Sequence, residues 1–156
     1  MKDWGEFVNR PPEDYEKWIF ANMQEIAEFE ICYLIHVSQS QKVIVDTNIP
    51  IEILQEVADY NQVAIMLSPQ SMSVENFFNR DDPDKIFIKE QIMKADDPEK
   101  TMKNYLDGIA KINSKEHYDD MANSGFFTIA RENTINDTRL KILKILSVHF
   151  GLESQE

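Results

Sequence analysis

A three-layer α/β/α domain around a parallel sheet is the fold class this sequence predicts, and three observations predict it. Two runs, Lys42–Thr47 (KVIVDT) and Val63–Leu67 (VAIML), are apolar without alternation, the pattern of strands covered on both faces. A helical stretch, Ile51–Asp59, separates them, so the connection reads as a crossover between parallel strands, and such crossovers are right-handed. A third continuous run, Phe126–Ala130 (FFTIA), follows a long helical region.

The elements can be justified in chain order. Pro11 and Pro12, followed by Glu13 and Asp14, suit a first helical turn and the positive end of its dipole. A long helix is expected over Glu13–Ser38, where Tyr15, Trp18, Ile19, Met23, Ile26, Phe29, Cys32, Tyr33 and Val37 recur at three- and four-residue steps. Cys32 within that face is expected to be a buried structural thiol. Ser71–Asn79 reads as helical, with Ser71 or Ser73 as cap. Asp82-Pro83 and Asp97-Pro98 each open a helix, the second running through Met102, Tyr105, Leu106, Ile109 and Ile112 to about Asn123-Ser124-Gly125. Asp137 is placed to cap the last helix, with Leu140, Leu143, Ile145 or Leu146 and Phe150 on its apolar face and Gly151 as its stop.

Length and composition bound the class. The 156 residues suffice for one domain, 1–156, with a core of its own. A net charge of −12 argues against a nucleic-acid polymer as partner, because phosphate neutralisation needs clustered Lys and Arg. The same charge disfavours an anionic membrane surface. The polar start, MKDWGEFVNRPP, is no signal peptide, and no apolar run reaches membrane-spanning length. A cytoplasmic location is therefore expected.

Motifs narrow the chemistry mostly by absence. The four glycines, Gly5, Gly108, Gly125 and Gly151, fall in neither G-x-x-x-x-G-K-[ST] nor G-x-G-x-x-G. Both loops need glycine so that backbone N–H groups can approach phosphate. His36, His117 and His149 are scattered and form no zinc pattern. His117 reads as part of a solvated polar face, and His149 as a histidine at a helix end, favoured there by the dipole. There is no G-x-S-x-G and no Cys–His pair suited to nucleophilic catalysis.

The remaining candidates are single residues. Asp46 ends the KVIV run; it is either a turn cap with Asn48, or a base or a Mg²⁺ ligand acting through water. Arg80 lies after a helix and Arg131 at the end of the third strand, in a chain with few arginines. A guanidinium suits phosphoryl oxygens; the competing reading is an ion pair with Asp81 or Asp82 for Arg80, and with Glu132 for Arg131. Trp4, Phe7 and Arg10 form either a substrate lip or, more simply, a staple for the long helix.

Three strands make a small sheet for so many helices. The chain reads as though a strand and a helix precede Met1 or come from another chain.

The order of pieces, "NRPPEDYEKWI", "KVIVDTN", "VAIMLS", "ENFFNRDD" and "FFTIAR", resembles the back two-thirds of a P-loop small-molecule kinase of the shikimate-kinase-like or nucleotide-kinase-like type. The NRPP-x-x-Y stretch (Asn9–Tyr15) and D-Y-N-x-V-A (Asp59–Ala64) carry the likeness, which covers nearly the whole chain. The resemblance implies a five-stranded parallel sheet whose third, fourth and fifth strands are seen here. The absent P-loop strand would lie between Lys42–Thr47 and Val63–Leu67. It implies a helical lid over about 70–122, with ATP and Mg²⁺ as cofactors. It also implies roles: Asp46 near Mg²⁺ and substrate, Arg80 as the lid arginine on the transferring phosphates, Arg131 near the adenine, and Arg10 in the substrate-binding region. The implied activity is ATP-dependent phosphoryl transfer to a small hydroxylated metabolite or nucleotide. Without the P-loop this chain is expected to be inactive. The alternative is a non-catalytic interaction protein or homodimer, with an open sheet edge favouring association.

Overall fold

The computed structural model describes residues 3–79, 81–132, 134 and 137–152. Its elements are α1 (Trp4–Val8), α2 (Pro12–Ser38), α3 (Ile51–Val57), β1 (Ala64–Leu67), α4 (Pro83–Ile92), α5 (Pro98–Ile112), α6 (Lys115–Ala122), β2 (Phe127–Ala130) and α7 (Arg139–His149). A 3₁₀ turn at Tyr60–Gln62 and a π-helical turn at Ser71–Glu75 complete them. The protein is mixed α/β: helices with a two-stranded parallel sheet, registered Ala64 to Phe127 through Leu67 to Ala130.

The expected first strand is corrected. Lys42–Thr47 pairs with neither strand, and Val43, Ile44 and Val45 are 36%, 65% and 46% exposed. β-branched residues favour extended backbone, but a strand exists only where a neighbour accepts its N–H and C=O groups. The described residues offer Lys42–Thr47 no such neighbour. Its end is nonetheless anchored: the Thr47 hydroxyl donates to Glu30 of α2 at 2.5 Å, and Ile49 is buried.

Local signals set the helix boundaries. Pro12 opens α2 with Glu13 and Asp14 in its first turn. The Asp82 carboxylate accepts from the Asp84 and Lys85 amides, and Asp97 accepts from the Lys100 amide, each just ahead of a proline. The helix expected to reach Asn123 instead breaks in two. Asn113 ends α5, and the Ser114 hydroxyl accepts from the His117 amide to begin α6. Asn and Ser favour such caps over a helix interior. At the C-terminus Gly151, at φ 62, closes α7. Its amide donates to Val148 and that of Leu152 to Ser147, a Schellman pair that only a left-handed residue permits without strain.

The largest buried cluster lies among helices rather than on the sheet. Phe7 and Val8 of α1, Tyr15 of α2, Ile92 of α4, and Tyr105 and Ile109 of α5 form it, with Ile19, Phe77 and Phe78 against them. The rings of Phe7, Tyr15 and Tyr105 meet edge-on or tilted at 5.8–6.1 Å, the geometry aromatic quadrupoles prefer. Gly108 lets α5 come this close, since a Cβ there would sit 3.2 Å from the Tyr15 ring. On the sheet, Ile65, Leu67 and Ile129 are buried.

Helix α5 also clamps the link between α1 and α2. The buried Thr101 hydroxyl donates to the Asn9 side-chain oxygen at 2.8 Å, and the Asn104 amide donates to the Arg10 carbonyl at 2.8 Å. Thr101→Val keeps the shape but removes the hydroxyl that ties α5 to Asn9. It is expected to cost about 1–2 kcal/mol in urea unfolding; an unchanged midpoint would show that the clamp adds nothing.

Among the described residues no helix is long and apolar enough to cross a membrane.

Candidate functional site

Parallel strands place their carboxyl ends side by side, and in open α/β sheets ligands bind there. Here the β1 and β2 ends are held together by one further rung: the Arg131 amide donates to the Leu67 carbonyl at 2.8 Å. That bond sets Arg131 one residue past β2, with its side chain at the surface. Glu132, its expected ion partner, reaches instead to Lys141 of α7 at 2.6 Å. Asp82, one of the two partners expected for Arg80, pairs with Lys85, whose ammonium and amide hold its carboxyl below the usual range.

The other sequence candidates fall elsewhere. Asp46 is exposed on the segment that pairs with neither strand, so it does not close a buried strand as expected. Arg80 lies outside the described residues. Arg10 is partly buried in the α1–α2 link, its guanidinium carbon 4.8 Å from the Trp18 ring centroid, a cation–π contact. Its Nη1 is buried and has no hydrogen-bond partner among the described residues. Phe7 packs on Tyr15 and Trp18, and Trp4 on Phe87 at 4.9 Å, which makes the first helix a staple. Among the described residues no hydrogen bond or ion pair joins Asp46, Arg131 and Arg10.

Two histidines and the cysteine differ from expectation. His117 is partly buried, its Nε2 3.1 Å from Glu16 and its ring 4.6 Å from Phe20, so it ties α6 to α2 rather than facing water. His149 does more than sit at a helix end. Its ring stacks on Phe127 at 4.3 Å, and its Nε2 lies 2.9 Å from the Val63 carbonyl. Cys32 is exposed, not buried.

Sequence reasoning missed a hollow of about 540 Å³ between β2 and α7, lined by Tyr60, Phe127, Lys141, Lys144, Val148 and His149. Lys141, Lys144 and Val148 recur at helical spacing, the only signal that could have found it. Nearby, Arg139 grips Asp137 through Nε and Nη2 and holds its carboxyl down at about 2.

Among the described residues no cradle for a triphosphate with Mg²⁺ is assembled. Gly5 and Gly108 lie within helices, Gly125 in the turn between α6 and β2, and Gly151 at the end of α7. Among the described residues no three His, Cys, Asp or Glu side chains gather in a metal-holding group. Comparison of the chain with family models, with curated proteins and with solved structures finds no match.

Proposed function

We propose that this chain is a kinase-like α/β domain, its parent chemistry the ATP-dependent transfer of a phosphoryl group to a small hydroxylated metabolite or nucleotide. As it stands the chain does not perform that transfer. In this reading the two strands belong to a larger three-layer parallel sheet, completed by a P-loop strand beside β1. The observation that carries the reading is the parallel β1–β2 pair, with Arg131 set at its carboxyl end by the Leu67 rung. Arg10 supports it with a buried donor that has no partner among the described residues and that a substrate carboxylate or phosphate would satisfy. The β-branched Lys42–Thr47 segment has no pairing partner among the described residues, which leaves it free to take the neighbour this reading supplies. Asp46, Arg80 and Arg131 take the roles the resemblance implies only once that strand and its cradle are supplied.

The test is to translate the DNA immediately upstream of the Met1 codon. An in-frame strand followed by G-x-x-x-x-G-K-[ST] is the expected result, and a stop codon with no such motif overturns the reading. With that segment joined, Asp46→Ala and Arg80→Ala are each expected to abolish transfer with the fold intact. Unchanged turnover in either variant removes that residue from the mechanism. Titration with Mg-ATP complements this: the chain alone is expected to bind no more tightly than about 1 mM, an affinity of roughly −4 kcal/mol. A second reading, a non-catalytic interaction protein, is favoured by the large apolar side chains left in water on α2 and α7.

A further inference from the structure

Strand β2 has one edge on β1 and, among the described residues, no strand on the other. The Arg131 amide donates to the Leu67 carbonyl, and that bond fixes which way each backbone group of β2 points. In a strand the N–H and C=O of one residue point to the same side, and those of the next residue to the opposite side. Phe127, Ile129 and Arg131 therefore turn toward β1, while Thr128 and Ala130 turn their N–H and C=O groups outward. No hydrogen bond among the described residues reaches those outward groups. The edge is also unprotected. Phe127–Ala130 (FTIA) carries no proline and no charge, and its register with β1 has no bulge; these are the devices that keep an edge from pairing with another chain.

A trough follows that edge. All four residues of β2 line a hollow of about 290 Å³, faced by Lys141, Ile142 and Ile145 of α7. Side chains alternate between the two faces of a sheet, so a wall of four consecutive residues is the backbone edge and not a face. Phe127, Lys141 and Ile145 also line the hollow of about 540 Å³ described above, so the two adjoin. Three rings converge at that end: His149 stacks on Phe127 at 4.3 Å and meets Tyr60 edge-on at 5.7 Å. The opposite wall is cationic. Helix α7 carries Arg139, Lys141 and Lys144 and no carboxylate, in a chain of net charge −12. Arg139 is engaged by Asp137 and Lys141 by Glu132. Lys144, beside the rings, has no ion pair among the described residues.

We propose that the outer edge of β2 takes an extended peptide of a partner protein as an added strand, with a large apolar side chain in the ring-lined hollow and an acidic side chain at Lys144. In such strand addition the main-chain bonds give affinity and the pocket selects the sequence. A compact small molecule would use the hollow and leave the outward groups of Thr128 and Ala130 unpaired; a peptide strand uses both. Phe127 and Lys144 line the same hollow. The apolar and acidic side chains of the peptide therefore lie two positions apart, because an extended chain returns to one side at every second residue. This proposal does not depend on the kinase-like reading, whose added strand lies on the other side of β1.

The experiment is selection of random twelve-residue peptides, displayed on phage, against the full chain. The enriched peptide is then made synthetically with a fluorophore, and its binding is read by polarisation. The expected pattern is a large aromatic or aliphatic residue two positions from Asp or Glu. Ala130→Pro removes one outward N–H and leaves the ladder to β1 intact, a place where an edge strand tolerates proline. It should weaken the peptide about tenfold or more, through the lost bond and the bulk of the ring. Lys144→Glu should weaken it about threefold or more, whereas Lys94→Glu, the same change of charge just past α4, should not. Methylation of the peptide's own amides gives a readout on the unsubstituted chain. Methyl groups on alternate amides should abolish binding in one phase and be tolerated in the other, because only every second amide of an added strand faces β2. This measurement stands even if Ala130→Pro fails to fold. Selection without a common pattern overturns the proposal. So does a peptide that binds folded Ala130→Pro unchanged, or one that tolerates methylation at every amide; either result assigns binding to the hollow alone, as a small aromatic anion would use it.

Discussion

Replacing Ile92 by alanine is expected to lower the unfolding free energy by about 3 kcal/mol, within the roughly 2–5 kcal/mol range of buried aliphatic truncations. Ile92 is 0% exposed at the end of α4, where the cluster of Phe7, Val8, Tyr15, Tyr105 and Ile109 meets it. The substitution removes three carbon atoms and their contacts. The surrounding rings cannot simply fall into the space, because Phe7, Tyr15 and Tyr105 are propped against one another at fixed angles. Residual cavity therefore adds to the lost transfer energy. Urea unfolding at constant slope measures it, with Leu140→Ala on the exposed face of α7 as the comparison. That variant should stay within about 0.5 kcal/mol of the parent. A loss below about 1 kcal/mol at Ile92 would mean that α4 contributes little to the cooperative unit.

This prediction concerns a core that the sequence did not disclose. Apolar periodicity located α2, α5 and α7 as helices but not the sides they bury, since Leu140, Leu143, Phe29 and Tyr33, expected inward, are exposed; the Asp-Pro pairs located the starts of α4 and α5, because caps act through a few adjacent residues. Ala64–Leu67 and Phe127–Ala130 were legible as strands for the same local reason, and they do pair in parallel. Lys42–Thr47 has equally strong β character, but whether it joins a ladder depends on a partner far away in sequence. Three strands were expected where the described residues pair two. The core's placement was hidden for a related reason. Phe7, Tyr15 and Tyr105 come from three distant helices, and no pattern along the chain announces that their rings meet. Cys32 shows the limit of periodicity in another way. The wide apolar arc of α2 was visible, but not which side of it a single copy leaves in water. At the site, strand-end geometry located Arg131, while Asp46 failed with the strand it was to terminate. The Arg10–Trp18 contact depends on how the chain turns at Pro11 and Pro12, and that turn is fixed by Thr101 and Asn104 nearly a hundred residues on.

Alkaline pH is expected to destabilise this fold through the tyrosine pair at its centre. Tyr15 and Tyr105 are both buried, and burial is the main cause that raises each phenol above the usual value near 10. The neighbouring Tyr15 phenol further raises Tyr105, while Tyr105 and then Arg10 partly oppose the shift at Tyr15. The sign follows from proton counting. Above about pH 10 the unfolded chain has released the phenolic protons that the folded chain retains, so stability falls as pH rises. The contribution is fully present below the unfolded value and lost above it, with a limiting slope of about 1.4 kcal/mol per pH unit for each tyrosine. Urea unfolding at a series of pH values from neutral to about 11 measures the slope. Tyr105→Phe should change neutral-pH stability by no more than about 1 kcal/mol, since it removes a single hydroxyl and keeps the ring. The same variant should remove about half of the alkaline slope, since one phenol of the pair no longer titrates. Because every lysine and Cys32 are common to both proteins, the difference in slope isolates the pair. An identical slope in Tyr105→Phe would mean that this phenol ionises as readily in the folded chain as in the unfolded one, and would place water inside the α1–α2–α5 junction.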